Sequence, residues 1–289
     1  MHVATDLHGH TLFSDGRATP EEYVDFRRVL GMRVVAISDH DVLGSARRGA
    51  IAAQAAGIVY VPAVEVTSFF RYGEPEAEQV HVLAYYPNDV LLEGRLERTF
   101  FYRRGVRVQQ KWRDFVLAWM AGLTVKERAK LDPDDALPRL PASIFPALQT
   151  MIDRITTFCR PLFEPFNDYQ AQFWDSEPEI FGWTPEEALD AIRAAGALDV
   201  VAHPGRYRDT TWTDRLLSYA SGIEVYTSSH KPDVAAHFRL LAEERRKLWT
   251  ASADDHQNAR YVYPPSGTPV ATLERILRKP LPLGIVVAA

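Results

Sequence analysis

A chain of 289 residues with 46% hydrophobic and 25% charged side chains has the composition of a globular protein of one large or two small domains, which excludes a disordered, collagen-like or coiled-coil chain. The 33 Lys and Arg and 38 Asp and Glu give a net charge of −5, which argues against non-specific coating of nucleic acid. The single Cys159 excludes an intramolecular disulfide and a thiolate zinc cluster.

The first third of the chain alternates predicted strands with predicted helices. Short apolar runs predict strands over 3–7, 34–38, 59–66 and 80–85. Thr19 and Glu22 have the spacing of a capping box, with a proline at the first helical position, and they start a helix that ends at Gly31. A second helix is predicted over 45–56 and ends at Gly57.

Residues 95–180 lack strand-like runs and show long helical patterns instead. Val108, Trp112, Phe115 and Trp119 recur at spacings of four, three and four residues, which places them in one apolar stripe of a helix. Five prolines between positions 138 and 165 interrupt the later helical patterns. We therefore predict a mostly helical insertion over 95–180.

Strands and helices alternate again after the insertion. A Thr-Pro-Glu-Glu sequence from Thr184 repeats the earlier capping sequence, at a helix that runs to Gly196. Further apolar runs predict strands over 198–202, 222–226 and 248–251. Seven strands alternating with helices predict an α/β fold, a (β/α)7 barrel-like architecture formed by 1–94 and 181–289 with the insertion between them.

Most histidines of the chain fall at the ends of the predicted strands. In parallel α/β barrels these carboxyl ends converge on one face, where catalytic groups lie. Nine side chains with nitrogen or oxygen donors are expected to meet there: His8, His10, Asp15, His40, Glu65, His81, His203, Asp254 and His256. Imidazole and carboxylate without thiolate favour Mn, Fe or Zn over a soft copper site. Because nine donors exceed the need of one tetrahedral ion, we predict two or three divalent ions that share a carboxylate.

The prediction of a metal site depends on the nine side chains taken together, since a lone histidine at a strand end is more often a hydrogen-bonded core residue than a ligand. His81 is the least typical member, because it is predicted near the start of its strand. Asp39 and Asp41 flank His40, and we expect them to orient its ring and not to bind metal.

The chain shows no sign of a membrane or export segment. No apolar run approaches the roughly 20 residues that cross a bilayer, and residues 1–10 lack the basic and apolar regions of a signal peptide. We therefore expect a cytoplasmic protein without a membrane partner and without an obligate protein partner.

Several segments that carry these residues resemble the motifs of one family. Asp6-Leu7-His8-Gly9-His10-Thr11, followed by Ser14-Asp15-Gly16, resembles the first motif of the PHP (polymerase and histidinol phosphatase) superfamily. The later motifs of the superfamily are matched by four further segments of this chain: Ser38-Asp39-His40-Asp41, Val64-Glu65-Val66, Ala202-His203-Pro204-Gly205 and Asp254-Asp255-His256. The helical insertion, and Gly222-Ile223-Glu224-Val225-Tyr226 followed by Ser229-His230, are similar to the stand-alone phosphoesterases of this superfamily that act on nucleoside 3′,5′-bisphosphates and short oligonucleotides.

The resemblance implies a distorted seven-stranded PHP barrel that holds three metal ions. It assigns the ligands by motif: His8, His10, Glu65 and Asp254 to one ion, Glu65, His81 and His203 to the second, and Asp15, His40 and His256 to the third. The insertion departs from the family, because the expected Arg-Pro-His segment is missing and residues 137–141 are a poor substitute. The identity of the substrate is therefore less constrained than the metal chemistry.

Three residues are candidates for the catalytic steps. A hydroxide that bridges two ions is expected to attack phosphorus, and Asp254 would accept a hydrogen bond from it. Arg206 either clamps the substrate phosphate or forms a surface salt bridge. His230, past the sixth strand, would contact phosphate or protonate the leaving alkoxide.

The predicted insertion also carries a basic segment. Ten Lys and Arg lie between positions 95 and 130, and Arg104, Arg107 and Lys111 share one helical face. If this face borders the barrel mouth, it would hold the flanking phosphates of an oligonucleotide. The alternative is a solvated helix face.

The sequence thus predicts a metal-dependent phosphoric ester hydrolase whose substrate is a small phosphorylated molecule, a nucleotide such as a nucleoside 3′,5′-bisphosphate. One alternative is a 5′-to-3′ exonuclease acting on short oligonucleotides, and another is a phosphatase for a small metabolite such as histidinol phosphate. A non-catalytic module, whose metals serve only folding or partner binding, is disfavoured by the complete set of ligands.

Overall fold

The computed structural model of the protein describes residues 1–259 and 267–282. A seven-stranded sheet in the order β2-β3-β4-β5-β6-β7-β8 curls into a nearly closed barrel, as predicted. The strands are β1 (His2–Val3), β2 (Thr5–Asp6), β3 (Val34–Ile37), β4 (Val59–Phe70), β5 (Glu78–Tyr85), β6 (Leu198–Val201), β7 (Gly222–Tyr226), β8 (Leu248–Ala251) and β9 (Thr268–Pro269). The segments that follow β2 and β8 also pair, through a parallel bridge between Gly9 and Asp255.

The sheet is not parallel throughout. β5 runs antiparallel to both β4 and β6, whereas the other neighbours in the barrel are parallel. The reason is the short connection between β4 and β5, since a parallel neighbour would need a crossover of roughly a dozen residues or more. As a result, the first half of β5 lies beside the last half of β4, with His81 opposite Thr67.

The strand predicted over 3–7 is divided in the structure. β2 joins the barrel beside β3, whereas β1 pairs antiparallel with β9, which the sequence pattern did not predict. Thr5 Oγ1 links the two sheets, because it donates to the Ala251 carbonyl at 2.9 Å and lies 2.7 Å from Thr268 Oγ1. The end of the described chain therefore helps to hold the first strand in place.

Eleven helices are found in the described part of the chain. They are α1 (Pro20–Val29), α2 (Ala46–Ala56), α3 (Phe100–Ala121), α4 (Val125–Leu131), α5 (Leu148–Phe158), α6 (Phe163–Gln170), α7 (Pro178–Phe181), α8 (Pro185–Ala194), α9 (Thr210–Tyr219), α10 (Pro232–Glu244) and α11 (Val270–Leu277). Thr19 and Thr184 cap α1 and α8 with the predicted capping boxes, and Gly57 ends α2 in the left-handed conformation. No described helix has the length and apolar character needed to cross a membrane.

The insertion comprises α3 to α7 and four 3₁₀ turns, and it lies between β5 and α8. It has a core of its own, in which Val116, Met120, Met151, Ile155 and Phe166 are buried. The predicted stripe on α3 makes contacts at two places, since the half-buried Trp119 packs on Phe166 in this core and the buried Val108 packs towards the barrel. The insertion is thus a helical layer that covers one side of the barrel mouth.

α3 approaches the barrel closely at a glycine. A Cβ on Gly105 would lie 2.8 Å from the Asp41 carbonyl oxygen and 3.0 Å from Val42 Cα, which is too close for any other residue. The insertion is therefore seated directly on the loop that follows β3.

Candidate metal centre

The nine predicted ligands come together at one end of the barrel. His8 and His10 follow β2, His40 follows β3, and His203 follows β6. Glu65 lies within β4, in a bridge to His40. His81, which the sequence placed least securely, reaches the same end because β5 runs antiparallel to its neighbours.

Two of the ligand positions have strained backbones. His203 has a φ of 29° and Asp254 a φ of 54°, in the left-handed region that non-glycine residues rarely adopt. Such conformations cost roughly 1–3 kcal/mol each and persist where the surrounding structure enforces them. At Asp254 the backbone N–H donates to the His8 carbonyl at 2.8 Å, so the closing seam of the barrel fixes this turn.

Glu65 is the centre of the cluster. Its side chain is fully buried, and five imidazole nitrogens lie 3.0–3.3 Å from its two oxygens. The contacts of Oε2 are with His8 Nε2, His10 Nε2 and His40 Nδ1, and those of Oε1 are with His81 Nδ1 and His203 Nε2. A carboxylate in this position can bridge cations that are bound on its two sides.

The donor atoms form three overlapping groups, each with its atoms within 4.8 Å of one another. The groups are His8, His10, Glu65 and Asp254; His10, Asp15, His40 and His256; and His40, Glu65 and His81. The first group is the set that the resemblance assigns to one ion. The second contains all three residues assigned to another, whereas His203 joins Glu65 and His81 through its 3.0 Å contact with Glu65 Oε1.

The chemistry of the cluster fits divalent cations. His8 Nε2 and Glu65 Oε2 are buried without a hydrogen-bond partner among the described residues, although they lie only 3.1 Å apart. A buried polar atom left unpaired costs roughly 1–3 kcal/mol. Buried lone pairs that face one another at this distance, supplied by imidazole and carboxylate, match the ligand preferences of Mn, Fe and Zn.

The electrostatics of the cluster also favour a cation. Burial disfavours the charged form of His10, but hydrogen bonds with Asp254 and Glu65 outweigh this effect and raise the pKa of His10 to about 10. Burial likewise opposes ionisation of Asp15, yet the neighbouring His40 and His256 hold its pKa well below the usual range. Burial lowers the pKa of His40 to about 4, which favours the neutral form of this ring at pH 7.

Glu224 is a functional position that was not assigned a role from the sequence. Its buried carboxylate accepts from His203 N at 2.7 Å and Ser252 Oγ at 2.5 Å, and it lies 2.9 Å from His8 Nδ1. The contact fixes the His8 ring with Nε2 directed at Glu65, an arrangement typical of metal-binding histidines. An acidic residue in the middle of the apolar run 222–226 was the available signal.

Asp39 and Asp41 do not orient His40, contrary to expectation. Asp39 accepts from Thr11 N at 2.7 Å and Ser14 Oγ at 2.9 Å, and so fixes the loop that carries Asp15. Asp41 accepts from Thr67 N at 2.9 Å and pairs with the Arg104 guanidinium.

Arg206 and His230 lie beside the cluster and are linked by a backbone segment. Arg206 Nη1 donates to Asp254 Oδ2 at 3.2 Å, and its side chain is half exposed. The His230 ring donates from Nδ1 to the Val225 carbonyl at 2.9 Å and accepts at Nε2 from Gly205 N at 3.0 Å. Burial lowers the pKa of His230, so the ring is neutral with both nitrogens engaged, and it holds the residue that precedes Arg206.

The residues of the basic face predicted on α3 are each paired with an acidic residue. Arg104 is buried, where it pairs with Asp41, donates to the Ile180 carbonyl at 3.0 Å and lies 4.6 Å from the centre of the Trp183 ring. The other two residues of the face are paired with acids of the insertion: Arg107 lies 3.7 Å from Glu179, and Lys111 lies 3.0 Å from Glu177. Helical periodicity identified the face but not the direction in which it points.

One segment is more similar to the missing Arg-Pro-His sequence than residues 137–141 are. It is an Arg-Pro pair in the 3₁₀ turn before α6. Arg160 and Pro161 are exposed and are followed by Leu162, which is buried in the core of the insertion. A leucine that packs in an apolar core cannot replace the histidine, so the departure from the family pattern remains.

The chain is similar to several known proteins. A family model described as PHP domain matches residues 6–102. A 3′,5′-nucleoside bisphosphate phosphatase from Chromobacterium violaceum is 29% identical over 268 residues, which cover 86% of each chain. The 5′-3′ exoribonuclease Rnm of Escherichia coli is 26% identical over 271 residues, which cover 90% of this chain and 87% of the relative.

Solved structures share the fold over nearly the whole chain. A protein from Bifidobacterium adolescentis matches with a TM-score of 0.66 at 20% identity, and the match covers 97% of this chain and 98% of the other. An amidohydrolase from Chromobacterium violaceum, solved with bound SO4 and no metal, matches with a TM-score of 0.62 at 25% identity over 94% and 96% of the two chains.

Proposed function

We propose that the chain is a metal-dependent phosphoesterase of the PHP family, whose model matches residues 6–102, and that it removes phosphate from nucleotides, with a nucleoside 3′,5′-bisphosphate as substrate. The observation that carries the proposal is the convergence of nine side chains with nitrogen or oxygen donors, with Glu65 at their centre. The choice of substrate is supported by the likeness to a bisphosphate phosphatase over 86% of the chain.

We assign two or three divalent ions, Mn, Fe or Zn, to the ligands grouped by motif. His8, His10, Glu65 and Asp254 would hold one, Glu65, His81 and His203 a second, and Asp15, His40 and His256 a third. Bound there, the ions supply a nucleophilic water near neutral pH and neutralise charge on the phosphate oxygens.

The protein's own residues orient the reactants. Burial opposes the charged form of Asp254, but His8 and His10 hold its pKa well below the usual range, so the carboxylate can accept a hydrogen bond from the attacking water. Arg206 uses one nitrogen for Asp254 and has further N–H donors for a phosphate oxygen pair. Because both nitrogens of His230 are engaged, we assign it a positioning role at Gly205 in place of proton transfer.

The test uses protein reconstituted with Mn²⁺ and adenosine 3′,5′-bisphosphate, with released phosphate and products identified by mass spectrometry. We expect phosphate release by the wild type and its loss in His40→Ala and Asp254→Ala. The exposed His237, which lies outside the cluster, provides the control His237→Ala with unchanged turnover. Full activity in the first two variants, or no hydrolysis by a metal-loaded wild type, overturns the proposal.

A second candidate is 5′-to-3′ exonuclease activity on short oligonucleotides, favoured by the likeness to the Rnm exoribonucleases of Escherichia coli and Salmonella typhimurium, each 26% identical. A 5′-phosphorylated trinucleotide offered beside the bisphosphate ranks the two activities. Faster release of mononucleotides than of phosphate would favour the exonuclease.

A further inference from the structure

We propose that the insertion and the barrel mouth together form an aromatic pocket for the base of the substrate, an uncharged planar heterocycle. The inference rests on the proposed function, because it places the phosphate ester at the ligand cluster. A cavity of about 200 Å³ opens beside Asp15, His40 and His81, so a molecule bound at the cluster can extend into it without leaving the site.

The walls of this cavity are aromatic and come from both parts of the molecule. Six rings line it: Phe13, Trp112, Phe145, Phe173, Trp174 and Phe181. Their arrangement is fixed by packing, since Phe173 meets Trp112 edge-on at 5.4 Å and Phe181 at 5.6 Å. The Trp112 indole N–H is held by the Pro146 carbonyl at 2.9 Å. Rigid aromatic surfaces bind planar rings by stacking with little loss of conformational entropy.

The charge of the cavity decides which part of the substrate enters it. None of its lining residues in the described chain is Lys or Arg, and its ionisable groups, Asp15, His40, Asp41 and His81, are carboxylates and imidazoles. Away from the proposed metal ligands, a second phosphate or a flanking nucleotide would find no cationic side chain there. Arg206, which contacts Asp254, does not line the cavity. The phosphates therefore belong at the cluster and near Arg206, and the uncharged base belongs in the cavity.

Two amides line the cavity and can contact the edge of a heterocycle. The side chains of Gln79 and Gln109 have no hydrogen-bond partner among the described residues. An amide both donates and accepts, so it can pair with purine and pyrimidine edges alike. We expect a clear preference for substrates with a base and weak discrimination among bases.

The test compares adenosine 3′,5′-bisphosphate with ribose 3,5-bisphosphate, which lacks the base. Stacking on an aromatic side chain is worth enough that wild-type kcat/KM should be about 10-fold or more higher for the nucleotide. Trp174→Leu should reduce this preference several-fold. Trp119→Leu removes an equally half-buried indole from the insertion, outside the cavity, and should keep it.

Equal kcat/KM for the two bisphosphates in the wild type, or an unchanged preference in Trp174→Leu, overturns the pocket while leaving the phosphatase intact. If neither bisphosphate is hydrolysed, the proposed function fails and the pocket is tested by adenosine binding to the metal-free protein. Calorimetry should then give an affinity that falls in Trp174→Leu but not in Trp119→Leu. No difference between the two variants, or no binding by the wild type, contradicts the pocket.

Discussion

The barrel mouth and the helical insertion border the same cavity with opposite chemistry. The mouth surrounds one buried carboxylate, Glu65, with five imidazoles, whereas the insertion contributes aromatic rings and no cation. Metal ligation needs donor atoms fixed within a few tenths of an ångström, which strand ends in a closed sheet provide. Recognition of a flat, uncharged group needs packed surface, which helices provide. The comparison suggests that reaction chemistry and substrate preference can change separately in this molecule.

The largest effect on metal content and turnover is expected from Glu65→Gln, which removes the negative charge that the five imidazoles of the mouth contact. The amide cannot replace the carboxylate between two sides of the cluster, so we expect metal content to fall and turnover to drop about 10³-fold. Metal analysis and phosphate release measure the two effects, and circular dichroism checks the fold. The exposed Glu93→Gln is the control. Normal metal content in Glu65→Gln would show that the five imidazoles bind without a central carboxylate.

How far the mouth could be predicted depends on how local its signals are. The two-residue spacing of His8 and His10, on alternate positions of one extended segment, identified a shared face directly. His81 was harder, because its place depends on the reversed direction of β5, which the predicted strands over 59–66 and 80–85 did not indicate. Glu224 was overlooked as a buried acid that contacts ligands without belonging to the predicted set.

The insertion was less predictable, since its function depends on contacts between distant segments. Trp112 and Phe173 are 61 residues apart in the sequence, but their rings meet edge-on with their centres 5.4 Å apart. No local sequence pattern predicts this contact. Arg104 shows the same limit. Its helical face was predicted, but burial against Asp41 is a tertiary feature that reverses the role expected for it.

The next largest effect is expected on the free energy of unfolding. It comes from a substitution in the residues that support the mouth and not in the metal ligands. Arg27 is fully buried and donates to Asp6 Oδ2 at 2.9 Å and Asp255 Oδ2 at 2.6 Å, and thus ties α1 to the turn that carries Asp254. Arg27→Met leaves buried carboxylates without this partner and should cost about 3–5 kcal/mol of unfolding free energy in urea.

Arg28→Met is the matched control for Arg27→Met. Arg28 is exposed and pairs only with Asp25 at 2.7 Å among the described residues, so its loss should cost no more than about 1 kcal/mol. Equal destabilisation by the two substitutions would show that the buried network contributes nothing beyond a surface ion pair. Metal affinity, measured in parallel, should weaken only in Arg27→Met.

The junction between mouth and insertion should be somewhat less costly to break. Arg104 joins Asp41 of the barrel to the Ile180 carbonyl of the insertion. Arg104→Met keeps much of the apolar stem against Trp183 but leaves Asp41 without its cation, so we expect about 3 kcal/mol of destabilisation. Arg107→Met, one turn along α3 and exposed, should change the free energy by less than about 1 kcal/mol. Similar destabilisation by both substitutions would indicate that Arg104 belongs to a solvated helix face, the alternative that helical periodicity also allows.

The smallest effect is expected at His230, and it separates positioning from proton transfer. A general acid contributes roughly 10²–10⁴-fold to the rate, whereas one positioning hydrogen bond contributes about 10-fold or less. Because burial lowers the pKa of His230 and both its nitrogens are engaged, the neutral ring at pH 7 has no proton to give without breaking its bond to Val225. His230→Ala should therefore raise KM through the Gly205–Arg206 segment, leave kcat within a few-fold, and leave the pH profile of kcat unchanged. Loss of a limb of that profile, with a drop in kcat beyond about 10²-fold, would return His230 to the role of acid.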